Sequence, residues 1–317
     1  MKFKFTENAL KTIVPDYYKD FKCIADKCRH NCCIGWEIDI DPYTLELYKS
    51  LDDDFGESIM SHIDMDLPPH FRLAEGDRCP NLRPDGLCEI ICRLGEGGIC
   101  EICREHPRFR YSFNSREEVG VGLCCEEAAR LILTRGEKVS LVTMEDGDVV
   151  PPDDEQDFFD FRERIFAIVG NRKLDICNRI SRLTEYLGCS LPYTDTDTWC
   201  DFFLSLERLD EAWGDMLEKL KASDIRDIEK CTCALPGESA EQLITYFIYR
   251  HLSPAADGGD VNERILFALL SFYMIRAVYA VTGEGGIDHL CDVARTYSSE
   301  IEYSVENLDE VLFEVSF

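Results

Sequence analysis

Four cysteines fall within eleven residues in 23-CIADKCRHNCC-33, and no other stretch limits so tightly what this chain can fold into. Side-chain packing does not call for thiols at that density. Of the chain's 17 cysteines, 11 lie between Cys23 and Cys125, so the sulfur has a common purpose in that region. Cys23, Cys28, Cys32 and Cys33 are followed by Cys79, Cys88 and Cys92, then by Cys100-x2-Cys103-x2-His106, and last by Cys124 and Cys125. The other six (Cys177, Cys189, Cys200, Cys231, Cys233 and Cys291) are scattered, as small buried hydrophobes are.

A disulfide framework suits a short secreted chain. This one has 317 residues and an odd number of cysteines. Its opening segment, MKFKFTENALKTIVPDYYKD, has neither the apolar centre nor the small-residue cleavage site of a secretory signal, so a cytoplasmic location is expected. Metal or cluster binding is then the better account of the thiols. Thiolates are soft ligands for zinc, copper(I) and iron–sulfur clusters. One structural zinc takes four tetrahedral ligands, and there are too many candidates here for one such ion. Adjacent pairs such as Cys32-Cys33 make poor joint ligands for one ion, because successive side chains diverge. The density points to an iron–sulfur cluster, alone or beside a separate metal, with zinc as the alternative.

Several function classes lose support. With 62 acidic residues against 34 basic ones, the net charge is −28, and phosphate backbones are repelled; no nucleic-acid partner is expected. The acidic surface either attracts basic groups or serves solubility. Ile265 to Val281 is apolar but carries Arg276, which predicts a buried helix and no membrane span. Cys28-x3-Cys32 begins the radical S-adenosylmethionine spacing, but Gly35 stands where its third cysteine belongs. No phosphate-binding GxxxxGK(S/T), HExxH or GxSxG occurs, and neither GEGG segment has the strand–turn–helix context of a dinucleotide site.

The predicted fold is mainly α, with an irregular cysteine-rich metal-binding half at residues 1–142, an acidic linker or loop at 143–157, and a helical domain at 158–317. Trp36, Ile38 and Ile40 alternate with acids and predict an extended segment; Asp41-Pro42 opens a helix. A further helix is predicted from Cys125 to Gly136. Beyond the linker, Phe202, Leu206, Leu209, Trp213, Met216 and Leu220 predict one continuous amphipathic helix, and Val261 to Tyr279 a second, more apolar one. Others are expected at about 158–170, 174–187, 239–252 and 286–302.

The blocks 17-YYKDFKCIADKCRHNCCIGWEIDID-41, 78-RCPNLRPDGLCEI-90, 99-ICEICREHPRF-109 and 122-GLCCEEAARLIL-133 resemble, in order and spacing, the flagellin lysine N-methylase family. That family's cysteine core is similar to small proteins described as zinc- or iron-chelating CxxCxxCC domains. The resemblance implies methyl transfer from S-adenosylmethionine, as co-substrate, to lysine side chains of flagellin, in a protein carrying an iron–sulfur cluster of the 4Fe-4S kind. Matched block by block, it favours Cys23, Cys28, Cys32, Cys33, Cys79, Cys88, Cys100, Cys103 and Cys125 as family-type metal positions. Cys92 and Cys124 are additions. The chemistry sets its own demand. A lysine ammonium, with a reference pKa near 10.4, has no lone pair and must lose a proton before it attacks a methyl group. No motif identifies the base.

Overall fold

In a computed structural model the described residues are 9–283 and 285–316, so the first eight residues of the opening segment, on which part of the secretory-signal expectation rests, lie outside them. The chain divides into two compact units. One is Lys22–Arg108 together with Cys125–Glu127, here called the cysteine unit; the rest of the described chain forms a helical unit. The protein is mainly α, as the sequence predicts.

Strand β1 (Lys11–Pro15) comes first. The cysteine unit follows with α1 (Pro42–Lys49), α2 (Asp54–Ser61), the two-residue strands β2 (Ile63–Asp64) and β3 (His70–Phe71), α3 (Glu89–Leu94) and α4 (Glu101–Glu105). Next come β4 (Arg108–Ser112), β5 (Arg116–Val121), α5 (Glu126–Leu133) and β6 (Leu141–Glu145). The remainder is helical: α6 (Asp153–Val169), α7 (Ile176–Leu187), α8 (Thr196–Ser205), α9 (Glu211–Lys221), α10 (Ser239–His251), α11 (Val261–Thr282), α12 (Ile287–Ile301) and α13 (Val305–Glu314).

In the helical unit, a four-stranded sheet runs in the order β4-β5-β1-β6. β1 pairs parallel with β5, Ile13 opposite Glu118, and antiparallel with β6, Val14 opposite Val142. The sequence reading of this region as helices and loops did not include the sheet. Its buried carboxylate, Glu118, takes a two-pronged ion pair from Arg162 of α6 at 2.7 and 2.5 Å, so neither charge is left unpaired. α11 is long and apolar enough to cross a membrane by composition, but most of it is buried in this unit, against α9, α10, α12 and α13. Its Arg276 donates Nε to the Cys233 carbonyl at 2.7 Å, which satisfies one of its N–H groups. Asp260 caps its start, accepting from Asn262 and Glu263 N–H groups.

The expected single helix through residues 202–220 is two, α8 and α9. The apolar spacing does not mark one buried face: Phe203 of α8 and Trp213 of α9 are buried, and Leu209 between the helices is exposed. The chain opens at Leu209 and Asp210 because both N–H groups donate to the buried Glu300 carboxylate of α12, at 2.9 and 2.7 Å. Asp210 then caps α9 through Ala212 N–H.

In the cysteine unit, Ile38, Ile40, Tyr48, Ile59 and Phe71 form an apolar core. The extended segment predicted around Ile38 is present, and it pairs with β3: Ile40 N–H donates to Pro69 and Phe71 N–H to Ile38. Asp41 caps α1, accepting from Thr44 N–H at 2.9 Å, and the same carboxylate accepts Glu101 N–H at 2.8 Å. One side chain thus serves the starts of α1 and α4, satisfying orphan donors at both.

Candidate functional site

Short backbone ties bring the sulfur atoms of the cysteine unit together. Residues 33–35 pair with 77–79: Cys79 N–H donates to the Cys33 carbonyl at 2.8 Å and Gly35 N–H to Asp77 at 2.9 Å. Leu82 bridges Cys88, and Glu89 N–H returns to the Asn81 carbonyl at 2.8 Å. Cys88 is the residue before α3 and Cys100 the residue before α4, so both thiols sit at helix starts, where partial positive charge favours a thiolate. The outcome is one core that holds Cys33, Cys79, Cys88, Cys100 and Cys103. Cys79 and Cys100 are buried, and the other three are partly so.

The electrostatics of this core follow from crowding thiols in an apolar setting. Burial pushes Cys79 up to about 11 and raises Cys88. Cys103 gives its proton to a hydrogen bond with Cys100, which lowers Cys100 and raises Cys103 far above the ordinary thiol value. Cys33 does the same for Cys32, holding Cys32 down to about 7 while Cys33 rises. Each pair therefore shares one proton readily and gives up its second reluctantly. Tyr48, fully buried, points its hydroxyl at the Gly98 carbonyl (2.8 Å) and lies 3.7 Å from Cys100 Sγ.

A second group gathers around Glu126 in the first turn of α5. Its carboxylate accepts Arg29 N–H at 2.9 Å and His30 N–H at 3.2 Å, and pairs with Arg29 Nε at 3.1 Å. Cys28 Sγ donates to the His30 carbonyl and stands 3.7 Å from Glu126. Burial, with the charges of Glu126 and Cys125 nearby, pushes Cys28 up to about 12. Cys32 neighbours both groups.

Of the nine sequence-predicted positions, five share the core, Cys28, Cys32 and Cys125 lie in or beside the Glu126 group, and exposed Cys23 does neither: its sulfur accepts Ala25 N–H at 3.4 Å. The additions separate from them. Cys92 is exposed, and Cys124 belongs to the helical unit, beside Tyr303. His106 is neutral, driven down to about 4 by burial and by Arg108. Among the described residues, no three Cys, His, Asp or Glu side chains stand as a group that could hold a metal ion without adjustment. The donors are of the right chemistry and share a core, but the side chains must turn toward one centre to ligate. Sequence reasoning missed Tyr48, Glu126 and Asn81. The signal for Tyr48 was present in its position four residues after Thr44 on the apolar side of α1, and for Glu126 in an acid directly following Cys124-Cys125.

Comparison with known proteins gives a direction. The chain is similar to proteins named lysine-N-methylase in Salmonella choleraesuis and Salmonella typhimurium, 27% identical over 139 residues. The likeness is to lysine-N-methylases. The match covers 40% of this chain and 33% of each of these two relatives, so it spans about a third of the curated lysine-N-methylases. A flagellar biosynthetic protein, FliU of Salmonella muenchen, is also 27% identical over 139 residues, 40% of this chain and 79% of that relative. The relationship to these flagellar and lysine-methylating proteins is distant. No protein-family model matches the chain, and no solved structure matches it significantly.

Proposed function

We propose that this protein is a protein-lysine N-methyltransferase that acts on flagellin in the cytoplasm, with S-adenosylmethionine as methyl donor, and that its cysteine unit carries an iron–sulfur cluster. The observation that carries the reading is the coincidence of two things: a core of five thiols with no disulfide among them, and a likeness to proteins named lysine-N-methylase.

Cys33, Cys79, Cys88, Cys100 and Cys103 are the residues we assign to the cluster, since they supply more thiols than the four a cluster needs. When bound, the cluster ties together loops that have few apolar contacts of their own. Methyl transfer itself needs a neutral lysine amine. Its lone pair forms the new C–N bond, the methyl–sulfur bond breaks, and that electron pair leaves on the sulfur of a neutral thioether. The surplus proton on nitrogen passes to solvent or a base. The net charge of −28 favours the approach of basic surface segments.

The test incubates anaerobically purified protein with S-adenosylmethionine and flagellin from the same organism, and reads lysine masses by peptide mass spectrometry. One or more methyl increments on lysine, absent with Cys103→Ala, are expected. Cluster-replete protein that leaves its own flagellin unmethylated would refute the assignment.

A further inference from the structure

A cavity of about 760 Å³ opens in the cysteine unit between α2, the loop after Cys79 and α3. Its volume is in the range of small-molecule sites. Its wall adjoins the thiol core, because Leu82 packs on that core. Two wall residues hold nitrogens that are buried and unspent. Asn81, 5% exposed, leaves Nδ2 without a hydrogen-bond partner of good geometry, and His62 leaves Nδ1 the same way. Buried polar atoms are seldom left so unless something else satisfies them.

The charges at the cavity have a specific arrangement. Asp54, in the first turn of α2, has no hydrogen-bond or ion-pair partner among the described residues. Arg93 of α3 gives Nε to Glu89 at 2.8 Å, and its guanidinium carbon lies 5.2 Å from the centre of the Phe55 ring. An open carboxylate, an available guanidinium and an aromatic face therefore line one cavity. A plain cation would use Asp54 and be repelled by Arg93; a plain anion would meet the reverse. A zwitterion uses both, its carboxylate on Arg93 and its ammonium on Asp54, and an additional positive centre gains from the Phe55 ring. A second cavity, about 530 Å³ in the helical unit, also carries acids and bases, Asp224 and Arg226 among them, but no aromatic ring lines it.

We propose that the cavity between α2 and α3 is the binding site of the methyl donor, an amino-acid zwitterion carrying a sulfonium, held by Asp54, Arg93 and Phe55. The assignment rests on the methyltransferase reading above, and it adds which residues hold the donor.

Titration calorimetry on the anaerobically purified full chain tests it, with S-adenosylmethionine as probe. Arg93→Gln and Asp54→Asn should each lose about tenfold in affinity, the size of one charge-assisted hydrogen bond. Phe55→Leu should lose less, and Lys230→Gln at the other cavity should bind as wild type. Both charged positions are exposed, so the variants should keep the wild-type far-ultraviolet circular dichroism and iron content, and Phe55→Leu guards against a helix-start effect. If the wild type binds the donor and all four variants match it, the site lies elsewhere and the methyltransferase reading stands. If no form binds the donor, both fall.

Discussion

The backbone N–H of Cys79 donates to the carbonyl of Cys33 at 2.8 Å, joining two sulfur-bearing segments far apart in sequence. This bond sets both residues in one core with Cys88, Cys100 and Cys103, and leaves exposed Cys23 outside it. Cys33→Ala or Cys103→Ala should therefore lose most of the bound iron and acid-labile sulfide. Cys177→Ala and Cys291→Ala, in the helical unit, should keep the wild-type content. Iron, sulfide and zinc per chain decide it; equal losses from both pairs would show that the core is not the metal site.

Tyr48→Phe removes the hydroxyl that, among the described residues, reaches the Gly98 carbonyl from α1. Because Tyr48 is fully buried, the carbonyl loses its partner without gaining water, and about 1–3 kcal/mol of stability should go with it. Urea unfolding followed in the anaerobic protein measures this. A change within error would mean that Gly98 finds another donor.

Glu155, buried in the first turn of α6, gives a pH-dependent contribution. Burial alone would raise its pKa, but hydrogen bonds from Ser115 Oγ at 2.6 Å and from Asn114 N–H at 2.6 Å outweigh it and hold the carboxyl below its ordinary value of 4.5. The unfolded chain thus binds this proton more readily than the folded protein does. The stabilisation is fully present above about pH 4.5 and fades as pH falls through the lowered folded value. Glu155→Gln should cost about 1–3 kcal/mol at neutral pH. The gap to wild type should narrow below pH 4.5; a gap that widened on acidification would reverse the assignment.

Salt should slow methylation of flagellin lysines. The chain's excess of 28 negative charges attracts basic segments over long range, and that attraction shrinks with a Debye length of about 8 Å at physiological ionic strength. The specificity constant at limiting flagellin is expected to fall between low and high salt, while the rate at saturating flagellin holds. A salt-independent specificity constant would assign the acidic surface to solubility alone.

Much of the helical architecture is legible in sequence because its signals are local. Asp41-Pro42 announces α1 through its first-turn proline, and the apolar run of α11 announces a buried helix. The sheet was not legible. β1 is only KTIVP, and its partners are β5 and β6, more than a hundred residues away, so no short window contains the pairing. The break between α8 and α9 was hidden for a related reason, since the carboxylate that holds it open, Glu300, belongs to α12. At the candidate site the residue type was readable and the grouping was not. Nothing in the spacing separates Cys28, which faces Glu126, from Cys33, which joins the core; the turns after Cys28 and before Cys79 make that division.

The parallel pairing of β1 with β5 places the cysteine unit's main segment, Lys22–Arg108, between two strands of one sheet. During synthesis the chain emerges from its N-terminal side at a handful of residues per second. β1 and then the whole run of thiols from Cys23 to Cys103 are synthesised before β5, the strand that β1 must meet in parallel. Loading of a metal or cluster onto the nascent segment can therefore precede closure of the sheet, and the order of assembly in the cell is written into the strand order.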